Sequence, residues 1–335
     1  MQESVKEFCL RHELRFHGEP QPLSRRAGTW LIADRDGNRW VVKARSPQDP
    51  TVEILGNFKM LHPPFRFTDP VCADQNDSYW LYRWLDGAVL ADGPFDEPRV
   101  IEQVLESAGR LQALLRSLIL VPFYRETLRS KETGGAFKGN VSRFDLSRIQ
   151  TMDDHQKSAR HVEIAQSYQW TEKQMERFEQ ALQVRPCCSK LPLAELRERL
   201  HNRFSIHLPT TGSTLAHTAL KPEHLLLLAG EPLGFVGWHI APRPRFYMPY
   251  TYLAWGLLHS TRADAVAFHW DYLRRNSSRA FYEEHHLVFA FCLMEQMVNM
   301  AGENRDGAGT LAPEREREAA ELLRECAENL RKQAP

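Results

Sequence analysis

No C-x-x-C pair occurs in the 335-residue sequence, and no histidines and cysteines fall at zinc-site spacing, so the common structural-zinc signatures are excluded. The six cysteines are Cys9, Cys72, Cys187, Cys188, Cys292 and Cys326. Only Cys187 and Cys188 are close in sequence, and adjacent cysteines rarely bridge because the geometry is strained. All six therefore read as reduced thiols of a cytosolic protein. Net charge is also lacking: Lys+Arg and Asp+Glu each total 43. Without a global basic surplus, the expectation is a protein that binds no nucleic acid. Long apolar runs are missing too. The best, Leu287 to Met294, is far below the roughly 18 residues of a membrane span. Met1-Gln2-Glu3-Ser4-Val5-Lys6-Glu7 carries acids and has no apolar signal-peptide stretch. A cytoplasmic chain with no membrane span is predicted; peripheral inner-membrane contact stays open. Nor is there a glycine-rich phosphate loop: Arg25-Arg26-Ala27-Gly28 holds one glycine, and its arginines suit either an anion or a solvated turn.

What is present is a change of period along the chain, which at this length accommodates about two domains. Thr29-Trp30-Leu31-Ile32-Ala33 is rich in β-formers, Asp36-Gly37 supplies a turn, and Arg39-Trp40-Val41-Val42-Lys43-Ala44 returns. This predicts a hairpin with Lys43 near the end of its second strand. A short helix over 51–61 follows, with Val52, Leu55 and Phe58 on one face, stopped by Pro63-Pro64. A further strand pair is predicted around Val71 and over 79–84. From Pro98 the pattern becomes helical: Val100, Val104, Leu105, Ala108, Leu111, Leu114 and Leu115 form a core-facing stripe. The stretch 125–150 reads as a loop or insertion. Helices are predicted near 171–184, 193–204, 251–275 and 281–300, with a charged amphipathic helix over 314–332 after Pro313. Between them lies a late strand pair, Leu225 to Leu228 and Phe235-Val236, joined by a turn at Gly230-Glu231-Pro232.

Two segments carry a resemblance. His217-Thr218-Ala219-Leu220-Lys221-Pro222-Glu223-His224-Leu225-Leu226-Leu227 resembles a kinase catalytic loop, which commonly runs His-x-Asp-Leu-Lys-Pro-Glu-Asn-Leu-Leu. Gly234-Phe235-Val236-Gly237-Trp238-His239-Ile240-Ala241 follows at the distance of the metal-binding strand end. Val41-Val42-Lys43 resembles the strand whose lysine holds the nucleotide phosphates, and Glu53 stands where its ion-pair partner would be. Tyr82-Arg83-Trp84-Leu85-Asp86-Gly87 resembles the hinge, with Trp84 at the nucleotide. The chain thus resembles the protein-kinase-like family of aminoglycoside and choline kinases over most of residues 20–275. In motif pattern it is similar above all to bacterial lipopolysaccharide core sugar kinases, to which His224, His239 and the Arg243-Pro244-Arg245 stretch point. The resemblance implies an α+β, bilobal fold: a small antiparallel-sheet N-lobe with one helix over 1–90, and a larger, mainly helical C-lobe over 91–335. The latter would contain the degenerate loop 217–227 and a hairpin to 241.

The departures from that pattern bear on chemistry. The catalytic-base position is Ala219 and the metal-aspartate position is Gly237, and neither offers a side-chain acceptor. Phosphoryl transfer consists largely of positioning and charge stabilisation, and losing one such group costs on the order of 2 to 4 kcal/mol in the barrier. Glu223 is the one carboxylate in the loop that is a candidate substitute. His224 and His239 are the candidate metal ligands, although magnesium prefers oxygen. ATP with magnesium is the cofactor the resemblance implies, and the altered positions place its use in question.

The expectation is a pseudokinase that binds an unknown protein partner, or a sugar or nucleotide, as scaffold or regulator. The alternative is an atypical ATP-dependent phosphotransferase acting on a sugar such as a core heptose; a third reading, transfer with nucleotide bound in reverse, has no residue singling it out. His285-His286 after Glu283-Glu284 reads as packing, because i,i+1 neighbours on a helix point apart. Tyr247, Tyr250, Tyr252 and Trp255 suit either a sugar-stacking surface or the core of the large lobe.

Overall fold

A computed structural model describes residues 4–23, 28–44, 65–68, 70–72, 78–93, 95–118, 174–206, 213–229, 233–244, 246–260, 282–303 and 313–332, together with Thr51, Leu55, Ala267, Trp270 and Asp271. Contacts divide the chain into two compact units. The first holds the described residues up to Gly93 together with Pro222–Ala241; the second holds the remainder.

The first unit opens with α1 (Val5–Arg11), which the sequence reading did not include. Its signal is a capping box: Ser4 accepts from the Glu7 amide, and the Glu7 carboxylate accepts from the Ser4 amide. Five strands form the main antiparallel sheet: β1 (Phe16–Pro22), β2 (Thr29–Asp34), β3 (Arg39–Ala44), β5 (Pro70–Cys72) and β6 (Tyr79–Arg83), in the order β1-β2-β3-β6-β5. The expected hairpin is β2–β3. Asp34 fixes its turn by accepting from the amides of Asp36 and Asn38 at 2.9 and 2.8 Å, and from the Trp40 indole at 3.0 Å. Those bonds, the Trp40 bond foremost, hold its carboxyl below the usual range. β1 escaped the sequence reading because prolines and a glycine interrupt it, and such residues are tolerated on an edge strand.

The two-residue period of a strand decides what each face carries. Trp40 and Val42 of β3, with Ile32 of β2 and Tyr79 and Leu81 of β6, pack against Phe8 and Cys9 of α1. The opposite face receives Val41 and Lys43, paired across the ladder with Tyr82 and Trp80. A second sheet in this unit joins β4 (Arg66–Phe67), β7 (Ala88–Val89), β9 (Leu225–Leu227) and β10 (Gly234–Phe235) in the order β4-β10-β9-β7. The expected late strand pair is thus real, but it is the middle of a larger sheet. That pairing is why 222–241 groups with the first unit, whereas the division at residue 90 assigns it to the C-terminal lobe. Two glycines permit the close packing. A Cβ at Gly87 would meet Leu228 at 2.7 Å, and one at Gly234 would meet Leu85 at 2.9 Å.

The second unit is mainly helical: α2 (Pro98–Leu118), a helical stretch over 174–183, α3 (Leu193–Ile206), α4 (Tyr247–His259), α5 (Tyr282–Glu303) and α6 (Pro313–Lys332), with β8 (Ser213–His217) between α3 and α4. β11 (Ile240–Pro244) leads into it from the first unit. The buried stripe of α2 is Ile101, Val104, Ala108, Leu111, Gln112 and Leu115. Gln112 was not expected there; its amide donates to the Pro244 carbonyl and accepts from the Met248 amide, 2.9 and 3.0 Å. It thereby satisfies a donor at the start of α4. In α5, Leu287 to Met294 is buried on every face, and α4 and α6 pack on it. The single helix expected over 251–275 is interrupted: Ser260 is extended, with ψ 143°, and its side chain donates to Asp96. The stretch 125–150, Arg25, Arg26 and most of the predicted 51–61 helix lie outside the described residues; Thr51 and Leu55 are helical and buried.

Candidate functional site

In the first unit, β3, the turn before β9 and the segment after β10 bring four of the sequence-selected positions together. The Lys43 ammonium donates to the carbonyl oxygen of Trp238 at 2.5 Å and lies over the Trp80 ring, 5.4 Å from its centroid. Trp238 is fully buried, with its ring edge-on to Phe67. Gly237 has φ +66°, the left-handed region where glycine is at ease. A Cβ placed there would fall on the His224 imidazole, 2.7 Å from Nε2 and 2.8 Å from Cγ. The imidazole therefore occupies the space of the missing side chain. His224 ends a short 3₁₀ turn, Pro222–His224, and its carbonyl accepts from the Val236 amide at 3.0 Å. Beyond Gly237, His239 is exposed, and the Ile240 amide donates to the Thr51 hydroxyl at 3.0 Å.

The remaining selected positions are more dispersed. Glu223 is exposed on the 3₁₀ turn. Trp84 is half-buried: its indole donates to Asp86 at 3.1 Å, its amide to the Arg39 carbonyl, and the Arg39 guanidinium lies 5.2 Å from its ring centroid. Arg39 and Asp86 also form an ion pair. Glu53 lies outside the described residues. In the second unit, His217 is buried, and its Nδ1 accepts from the Ala219 amide at 3.3 Å. This bond folds the loop back on its histidine. Ala219 is partly exposed.

Sequence reasoning missed the polar network beneath that loop. The Tyr247 hydroxyl donates to Glu295 at 2.5 Å and approaches the Thr218 carbonyl at 3.4 Å; Arg243 donates to the other Glu295 oxygen at 3.3 Å and faces the Tyr247 ring. Burial pushes the Glu295 carboxyl above its usual value, against the opposing pull of Arg243. The Tyr247 phenol is raised by the same desolvation and by Glu295. Tyr247, Tyr250 and Tyr252 are buried, which assigns that part of the aromatic stretch to the core. His285 stacks on Phe246 and bonds the Tyr250 hydroxyl, and His286 is buried against Trp270.

Magnesium held from position 237 does not fit the described residues of the first unit. Position 237 offers no side-chain oxygen ligand, its side-chain space is filled by an imidazole, and magnesium takes hard oxygen donors in near-octahedral geometry. Among the described residues, no group of three His, Cys, Asp or Glu side chains converges around Gly237.

No protein-family model matches the sequence, and no curated protein matches it. Solved structures do. An amicoumacin kinase, hAmiN, in complex with AMP-PNP, Ca2+ and Ami aligns with TM-score 0.50 at 11% identity, covering 97% of this chain and 94% of that one. The choline kinase LicA from Streptococcus pneumoniae aligns with TM-score 0.49 at 11% identity, covering 96% and 99%. The macrolide 2'-phosphotransferase MphH from Brachybacterium faecium aligns with TM-score 0.45 at 16% identity, covering 95% and 96%. With an antiparallel-sheet first unit and a mainly helical second, the chain has the protein-kinase-like fold found in small-molecule kinases.

Proposed function

We propose that this protein works by binding rather than by phosphoryl transfer: a pseudokinase of the small-molecule, lipopolysaccharide-kinase-like type. The observation that carries the reading is the arrangement around Gly237. The Lys43 ammonium is bonded to a backbone carbonyl, and the His224 ring fills the volume that a metal-holding side chain would need. Ala219 supplies no proton acceptor on its side chain. The ligand class we assign is a protein partner, or a sugar or nucleotide held without magnesium chemistry, in the cytoplasm. No described helix is long and apolar enough to cross a membrane. The test is calorimetry with ATP and magnesium alongside a sensitive transfer assay on core sugars. No turnover is expected; turnover abolished by Lys43→Ala would sink the proposal.

A second reading, an atypical sugar phosphotransferase, draws on one feature. Glu223 is exposed and directly precedes His224, so a carboxylate is available on the same turn. That reading requires a measurable rate that falls in Glu223→Gln. A rate unmoved by this change removes Glu223 from any catalytic role.

A further inference from the structure

Outside the kinase-like positions, two remote segments of the second unit bring two thiols and a carboxylate together. The turn after the 174–183 helix carries Cys187 and Cys188, with their sulfurs 3.5 Å apart. The first turn of α6 carries Glu316, and its carboxylate and the two sulfurs all lie within 4.8 Å of one another. No other such group occurs among the described residues. We propose that Cys187, Cys188 and Glu316 form a binding site for a d10 divalent cation of the zinc class.

The donors are held before any ion arrives. Three backbone bonds lock the turn: Arg185 to Leu182, Cys188 to Arg185 and Leu191 to Cys188, each 3.0 Å. Arg185 anchors the carboxylate, donating one nitrogen to Glu316 at 2.7 Å and the other to the Met297 carbonyl of α5 at 3.3 Å. The Cys187 sulfur lies within 4.8 Å of both the Cys188 sulfur and the Glu316 carboxylate, so the ligands already face one another. In a tetrahedral site with Zn–S of about 2.3 Å, two sulfurs stand roughly 3.8 Å apart, so closing on an ion needs only small side-chain shifts. Three protein donors leave a fourth position for water. Cys187 is partly exposed and gives the ion a way in, while Cys188 is buried.

Charge balances in both states. Without an ion, two neutral thiols accompany the Glu316–Arg185 pair. On binding, each thiol releases its proton to solvent, and two thiolates offset the two charges of the cation, leaving the half-buried site neutral again. The two sulfurs favour zinc and cadmium over magnesium or calcium.

The test titrates the full chain, kept reduced by a phosphine, with Cd2+. The expected result is a thiolate-to-cadmium charge-transfer band that saturates at one ion per chain and is displaced by Zn2+. Cys187→Ser removes the band. Arg185→Gln keeps every donor but loosens the carboxylate, and weakens binding on the order of 10- to 100-fold. Thermal melts check that each variant folds, and Glu316→Gln stands in for any that does not, with a loss of affinity expected. A band that never saturates at one ion, or one that persists in Cys187→Ser, overturns the site.

Discussion

The Lys43 ammonium donates to the carbonyl oxygen of Trp238, 195 positions further along the chain. This bond ties the end of β3 to the segment that follows β10. The bond is charged and part-buried, so it stabilises the first unit. Lys43→Met is expected to cost about 1.5–3 kcal/mol in urea denaturation, the range for hydrogen bonds to charged groups.

Gly237→Ala places a methyl group against the His224 imidazole on a left-handed backbone. About 1–3 kcal/mol of stability should be lost, from the strained φ and the crowding together. His224→Ala in the same chain removes the obstacle and should recover part of that loss. A double-mutant cycle measures the coupling; additive effects would show that the two residues do not compete for one space.

Gly87→Ala and Gly234→Ala each thrust a methyl into the leucines that pack the β4-β10-β9-β7 sheet. Each should destabilise by about 1–3 kcal/mol, the cost of overfilling a packed core. Guanidinium unfolding midpoints report it.

Tyr247→Phe deletes the hydroxyl that Glu295 accepts from and that approaches the Thr218 carbonyl. A buried carboxylate then loses a partner, and about 1–3 kcal/mol should go with it. Hydrogen exchange at the Ala219 amide should quicken if the network steadies the loop from below.

Glu295 sets a pH dependence whose direction is fixed by its environment. Burial raises its folded-state value above the ordinary 4.5, and Arg243 and Tyr247 only partly oppose this. The folded chain therefore holds the proton more tightly than the unfolded one. That contribution is fully present below the ordinary value and is lost as pH rises through the raised one. The stability advantage of the native chain over Glu295→Gln should shrink from acid towards neutral pH, as read by urea melts across that interval. A gap that widens would reverse the assignment.

The β-formers of Thr29–Ala33 and Arg39–Ala44 and the turn at Asp36-Gly37 made β2–β3 legible from sequence, since both are local signals. The in-register Leu-Lys-Pro-Glu of the loop pointed to the fold. The Ser4–Glu7 capping box was equally local but was passed over, and β1 carried no apolar period to find. Long-range relations were beyond reach. Sequence gives Gly237 and His224 as two separate departures, and only packing shows that the ring of one fills the void of the other. Gln112 reads as a polar break in an apolar stripe until its bonds to Pro244 and Met248 are seen. Glu295 was silent for the same reason.

The imidazole lodged beside Gly237 also constrains what a carboxylate could do at that position. An aspartate introduced there alone meets the ring before it meets any ion, so this single replacement carries a penalty with no compensating gain. Seating a carboxylate at 237 therefore needs two coordinated exchanges, with the histidine moving first.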